Sequence, residues 1–280
     1  MHIAQCGYVR GSEIFSPPEI QQLQTSLTET TNRIAHGFLT PYETSFPDLP
    51  LEDRLERVAQ QDRAYAYALL HGIFADAQQD PRIASLAAHP RLMDHVQRLV
   101  APRIIVGHVI RVRVNFPAFP QKRSPWHQDV TDHKGPDGTY SPVALACWIP
   151  LVDATQENGT LEVIPGAYDA PYPHQQTEDG QISIAPERLP DRPRMTLPCP
   201  AGDVLFLDRF LPHRTLPNQT TRIRWTLVMW VKCRKEAAVA CPAHTTTHRA
   251  KGLEFRLVGV APGYPAPTGC AGLAAALHRS

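Results

Sequence analysis

In the segment Trp126-His127-Gln128-Asp129, a histidine and an aspartate stand two residues apart. In extended backbone both side chains therefore leave the chain on the same side. An imidazole nitrogen and a carboxylate oxygen from one short segment, completed by the distant His213, would make a two-histidine, one-carboxylate triad on one face of an octahedral Fe(II). Such a set leaves coordination positions open, which implies chemistry at the metal and not structural ligation. A bare His-x-Asp is a weak signal in a chain with 13 histidines, so the surrounding residues must carry the reading.

Arg224 adds to it. A strand predicted to return from Thr221 places Arg224 where it points into the cavity that would hold the metal, with Arg222 a rival of the same parity. An arginine suits that place if the cosubstrate is 2-oxoglutarate. This molecule chelates iron through its 2-oxo acid end and offers a distal carboxylate to a bidentate fork, a geometry lysine lacks.

The elements that must position these residues change character along the chain. Ser16-Pro17-Pro18-Glu19 has the pattern of a helix start, and Ile20, Leu23 and Leu27 follow at helical spacing, predicting a helix over about 17–35. Residues 51–78 repeat the pattern, and Pro90 opens a helix to about Leu99. From Ile104 the period becomes that of strands: 104–106 and 110–116, the doubly apolar 143–152, a hairpin at Asn158-Gly159 returning through 160–164, then 182–184, 195–197, 204–207 and 223–232. Residues 168–193 read as a long loop of the kind that covers sites, together with 133–142. Helices followed by about eight short strands predict an α+β, mainly β chain with a double sheet or jelly roll at its centre and the N-terminal helices packed outside one sheet.

A net charge of +1 with 20% charged residues offers no broad field for nucleic acid or an anionic membrane surface. Neither a leader-like N-terminus nor an apolar run of about eighteen residues is present, so the expectation is a soluble, cytoplasmic protein. The six scattered cysteines lack a C-x-x-C pair and read as reduced thiols. One domain is expected over residues 1–280: a mostly helical layer at 1–100, a jelly-roll core at 104–258 and a tail at 259–280.

Taken in order, Trp-His-Gln-Asp at 126–129, Cys-Trp-Ile-Pro-Leu at 147–151, Glu-Asn-Gly-Thr-Leu at 157–161, Val-Ile-Pro-Gly at 163–166, Ala-Gly-Asp at 201–203 and His213 with Asn218 and Arg224 resemble the phytanoyl-CoA dioxygenase family of Fe(II)/2-oxoglutarate oxygenases. The resemblance implies a double-stranded β-helix, the cupin-like jelly roll. It implies His127, Asp129 and His213 as iron ligands, Arg224 for the distal carboxylate of 2-oxoglutarate, and Thr215 and Trp148 lining that cosubstrate. It implies a dioxygenase that uses Fe(II), 2-oxoglutarate and O2, releases succinate and CO2, and hydroxylates or desaturates a small-molecule substrate. Related halogenases lack the carboxylate ligand, so Asp129 points to oxygen insertion or desaturation. Two motifs depart from the family pattern: Ala167-Tyr168 stands where Ser-His is usual, and Thr215 where Ser is usual. Two alternatives fit the residues without the resemblance: a jelly-roll enzyme using Zn or Mn as a Lewis acid, and a non-catalytic cupin. Lys122, Arg123, His133 and Lys134 read either as solvated loop charges or as contacts for a phosphate or carboxylate of the substrate at the cavity mouth, Tyr168 as a change in the wall of the site, and oligomeric state is not legible.

Overall fold

The computed structural model describes residue 3 and residues 5–234. The end of the predicted 104–258 core, the 259–280 tail, Cys241, His244 and Cys270 lie outside the described residues.

Helix α1 spans Pro17–His36, and at its start the Ser16 backbone N–H donates to the Glu19 carboxylate at 2.7 Å. The helical run predicted over 51–78 is two helices, α2 (Leu51–Gln61) and α3 (Arg63–Asp76). Asp62 between them is extended, and its carboxylate accepts the Tyr65 N–H at 3.0 Å, capping α3. A short α4 (Pro81–Ala84) and α5 (Pro90–Val100) complete the helical layer.

The strands are β1 (Tyr8–Gly11), β2 (Ile104–Asn115), β3 (Val143–Pro150), β4 (Leu161–Val163), β5 (His174–Gln176), β6 (Ile182–Ile184), β7 (Met195–Leu197), β8 (Val204–Asp208), β9 (His213–Thr215) and β10 (Arg224–Arg234). The large sheet has the order β1-β8-β3-β10-β2 with every pair antiparallel, a small sheet has the order β7-β4-β9, and β5 and β6 form a separate hairpin. β1, β5 and β9 are not among the predicted strands. The Asn158-Gly159 turn does not close a β3–β4 hairpin as predicted. It carries the chain from the large sheet to the small one, held by Thr160 N–H to Thr155 O at 2.8 Å and Asn158 Nδ2 to Asp153 O at 2.7 Å.

Alternation along the strands builds the layers. Trp225, Leu227, Met229 and Val231 of β10, with Cys147 and Ile149 of β3, pack in one core with the helices. The opposite face contributes Ala146, Trp148, Leu205, Leu207 and Val228 to a second core, shared with Leu161, Val163 and Leu197 of the small sheet. That is the predicted arrangement: a jelly roll with helices on the outside of one sheet. Cys147, Cys199 and Cys233 are free and buried, whereas Cys6 is disulfide-bonded, against the expectation of reduced thiols. Among the described residues no helix is long and apolar enough to cross a membrane.

Candidate metal centre and its cavity

β9 pairs with β4 on one side and, on the other, exchanges two backbone hydrogen bonds with the His127 segment: His127 N–H to His213 O at 3.0 Å and His213 N–H to His127 O at 2.9 Å. This bridge sets the two imidazoles side by side, their centroids 4.2 Å apart. Asp129, two residues on, joins them, and one ligand atom from each of the three residues lies within 4.8 Å of the others.

Both histidines are held in the same way. His127 Nδ1 meets Pro125 O at 2.8 Å and His213 Nδ1 meets Leu211 O at 2.9 Å. A carbonyl only accepts, so each Nδ1 is the protonated nitrogen and each Nε2 keeps its lone pair, the arrangement metal-ligating histidines require. Burial, and then the neighbouring His213, pull the His127 pKa down to about 3, so the ring is neutral at physiological pH. One oxygen of Asp129 accepts the Trp230 indole N–H at 2.5 Å; the other, Oδ2, is buried without a partner. A buried orphan carboxylate oxygen is costly unless a cation completes it. Two free imidazole lone pairs and one unsatisfied oxygen fit a divalent metal of the facial-triad type.

Gln128, between the ligands, is buried. Its side chain donates to Ala170 O at 3.1 Å and to Phe210 O and accepts the Tyr172 N–H at 2.7 Å, tying the metal loop to the segment after Tyr168. The side chain of His174, within the 168–193 stretch read as a loop, is 1% exposed. Its Nε2 accepts the Gln128 N–H at 3.1 Å, which makes it part of the same clamp.

The triad opens into a cavity of about 490 Å³, which Trp148 and Thr215 also line. Arg224, expected to point into the cavity, is not among its lining residues; it is buried, with its guanidinium 4.9 Å over the ring of Trp148, which does line it. It donates to Gly159 O at 3.0 Å and to Thr226 Oγ1, has no carboxylate partner among the described residues, and burial pulls its pKa down to about 9. Arg222 does not share its strand face. β10 begins at Arg224, and Arg222 is exposed, pairing with Asp53 at 2.8 Å and Glu52 at 3.7 Å. Of the candidates for substrate contact, Lys122 lines the cavity, while Arg123, His133, Lys134 and Tyr168 do not. Three features escaped sequence reasoning: the Trp230–Asp129 bond, Arg113 of β2, and the α3 wall of Leu70, His71 and Phe74. Arg113 was the most accessible, since β2 alternates through it.

The sequence model of the phytanoyl-CoA dioxygenase (PhyH) family matches residues 3–226. The L-proline trans-4-hydroxylase of Streptomyces griseoviridis is 31% identical over 140 residues, covering 46% of this chain and 50% of that protein. The peroxisomal phytanoyl-CoA dioxygenase of Rattus norvegicus is 28% identical over 158 residues, covering 53% and 45%. The chain thus spans about half the length of these curated relatives. Among solved structures, the epimerase SnoN in complex with Fe3+, alpha ketoglutarate and nogalamycin RO superposes with a TM-score of 0.51 at 19% identity, covering 82% of this chain and 80% of that one, a likeness of fold.

Proposed function

This chain belongs to the phytanoyl-CoA dioxygenase family, and from that premise we propose that it is an Fe(II)/2-oxoglutarate-dependent dioxygenase that hydroxylates or desaturates a small molecule. The observation that carries the proposal is a pair of unmet electrostatic demands: the orphan Oδ2 of Asp129 in the cavity, which calls for a cation, and the buried guanidinium of Arg224 over the ring of the cavity-lining Trp148, which calls for an anion.

In this reading His127 and His213 hold the metal through Nε2 and Asp129 holds it through Oδ2. Bound there, Fe(II) with 2-oxoglutarate and O2 supplies the oxidising power, and succinate and CO2 are the by-products. Arg224 takes the distal carboxylate of the cosubstrate, with the Thr215 hydroxyl as a second donor and Trp148 as one wall of the cosubstrate site. Gln128 and His174 keep the metal loop in place, and the apolar lining of Leu161, Leu207 and Val228 keeps water sparse around the reacting atoms. We also take residues 1–280 as one domain, cytoplasmic, acting without nucleic acid or membrane partners; the near-neutral charge supports the last point.

The test is 2-oxoglutarate-dependent O2 uptake with succinate release, in wild type and in Asp129→Ala. The wild type is expected to show Fe(II)-dependent succinate formation. The variant is expected to show none while keeping its circular dichroism spectrum. Ordinary turnover in Asp129→Ala would remove that residue from the ligand set, and turnover of a substrate without 2-oxoglutarate would favour Lewis-acid chemistry instead.

A further inference from the structure

The cavity contains a cation that the iron and cosubstrate chemistry leaves unused. Arg113 lines the cavity and is exposed to its interior. Among the described residues it makes no hydrogen bond and no ion pair, and its guanidinium lies 5.6 Å over the Trp230 ring. The same indole donates its N–H to Asp129, so Arg113 stands one ring away from the triad.

Register explains the placement. Arg113 pairs with Thr226 across β2 and β10, while Arg224 pairs with Asn115, so both arginines project from the inner face of the large sheet at neighbouring positions. Arg224 is buried; Arg113 is open to the cavity. Arg111 follows on the same face but does not line the cavity, and among the described residues its guanidinium donates only to Ile110 O, at 3.4 Å.

The lining charges are unbalanced. Arg113 and Lys122 are cationic, and Asp129 is the one carboxylate among the described lining residues, already committed to the triad. Lys122 is partly engaged, donating to Tyr67 Oη at 2.9 Å, which leaves Arg113 as the open fork. Beside it the wall is apolar: Leu70 and Phe74 of α3, and Ile182 of β6, which is 46% exposed. An unpaired planar fork next to an apolar wall suits a molecule with an apolar body and a carboxylate end.

We propose that Arg113 determines specificity for the primary substrate by receiving its carboxylate, so that the substrate is an organic acid with an apolar body. This rests on the Fe(II)/2-oxoglutarate reading, in which Arg224, not Arg113, holds the cosubstrate. The test uses enzyme loaded with Mn(II) and 2-oxoglutarate, titrated by calorimetry with hydrocinnamate and with its neutral amide. The acid is expected to bind about tenfold or more tighter than the amide. Arg113→Gln is expected to abolish that preference and Arg113→Lys to keep part of it, both with 2-oxoglutarate affinity within about twofold of wild type. Equal or undetectable binding of acid and amide to a wild type that does take up Mn(II) and 2-oxoglutarate overturns the inference alone. So does a preference that survives in Arg113→Gln, or a loss of 2-oxoglutarate affinity in that variant, which would assign Arg113 to the cosubstrate. A wild type that binds neither Mn(II) nor 2-oxoglutarate overturns the reading beneath it as well.

Discussion

Trp230 and Asp129 come from distant parts of the chain, yet the indole N–H of the first donates a 2.5 Å hydrogen bond to one carboxylate oxygen of the second. The other oxygen, Oδ2, is buried and unpaired. One oxygen is pinned and the other is left to bind, so the orientation of the carboxylate is set before any metal arrives.

Trp230→Phe keeps an aromatic ring at that position and deletes the N–H. Metal affinity is expected to fall by about ten- to a hundredfold, the usual effect of losing a partner that orients a ligand. Competition titration with a chelator measures it, with circular dichroism as the control for folding. Unchanged affinity would show that Asp129 needs no such pin.

The two arginines near the start of β10 are expected to differ sharply. Arg224 is buried without a carboxylate partner, so Arg224→Ala should raise the KM for 2-oxoglutarate by about ten- to a hundredfold, corresponding to about 1.5–3 kcal/mol for a charge-assisted contact. Arg224→Lys should recover only part of this, since one ammonium cannot reproduce the fork. Arg222→Ala loses exposed pairs with Asp53 and Glu52 and should cost about 1 kcal/mol of stability or less, with KM near normal. The opposite pattern in a cosubstrate titration would reverse the assignment.

These contrasts also mark what the sequence could convey. His127, Asp129 and His213 were legible because spacing, strand parity and the order of flanking motifs agree. Trp148 and Thr215 were named through the resemblance alone, as residues of the cosubstrate site; both line the cavity. Arg222 was misplaced because parity counting assumed a strand running from Thr221. In the fold, Asn218 Nδ2 ties Arg222 O at 2.7 Å into the preceding turn, and regular pairing starts only at Arg224. The burial of the His174 ring was not legible because a loop rich in Pro, Gln and Asp looks solvated, and nothing local shows that the ring meets the Gln128 N–H. Arg113 and the α3 wall depend on which strand and which helix flank the cavity, which is a matter of tertiary assembly and not of local period.

The segment from about Asp169 to Pro193 was expected to cover the site, and its β5–β6 hairpin places Gln181 and Ile182 in the cavity lining, with Gln181 Nε2 donating to Gln121 O at 2.6 Å. The 133–142 segment contributes no lining residue. Limited proteolysis is therefore expected to be suppressed by bound metal, 2-oxoglutarate and substrate at 169–193 and to be insensitive at 133–142. Equal protection of both segments would contradict the division.

Gly159 joins the fold to the proposed cosubstrate site, and its replacement should damage both. Its φ of +81° lies in the left-handed region, where an alanine costs about 1–2 kcal/mol. An added Cβ would also run into Asn115 Nδ2 and the backbone carbonyl of Leu216. Asn115 cannot simply retreat. Its amide donates to Gly159 O at 3.1 Å and Leu216 O at 2.8 Å, stitching β2 to the turn before β4 and to the chain after β9. Gly159 O is also the acceptor for Arg224 Nε at 3.0 Å, so a displaced turn moves the guanidinium. Gly159→Ala is expected to cost about 3 kcal/mol or more, lowering Tm by about 6–12 °C for a chain of this size. In whatever fraction stays folded, the KM for 2-oxoglutarate should rise while metal affinity, set by the triad and Trp230, stays within about twofold. A Gly159→Ala protein that melts with wild type, or that loses metal and cosubstrate affinity in equal measure, would show that this turn does not position Arg224.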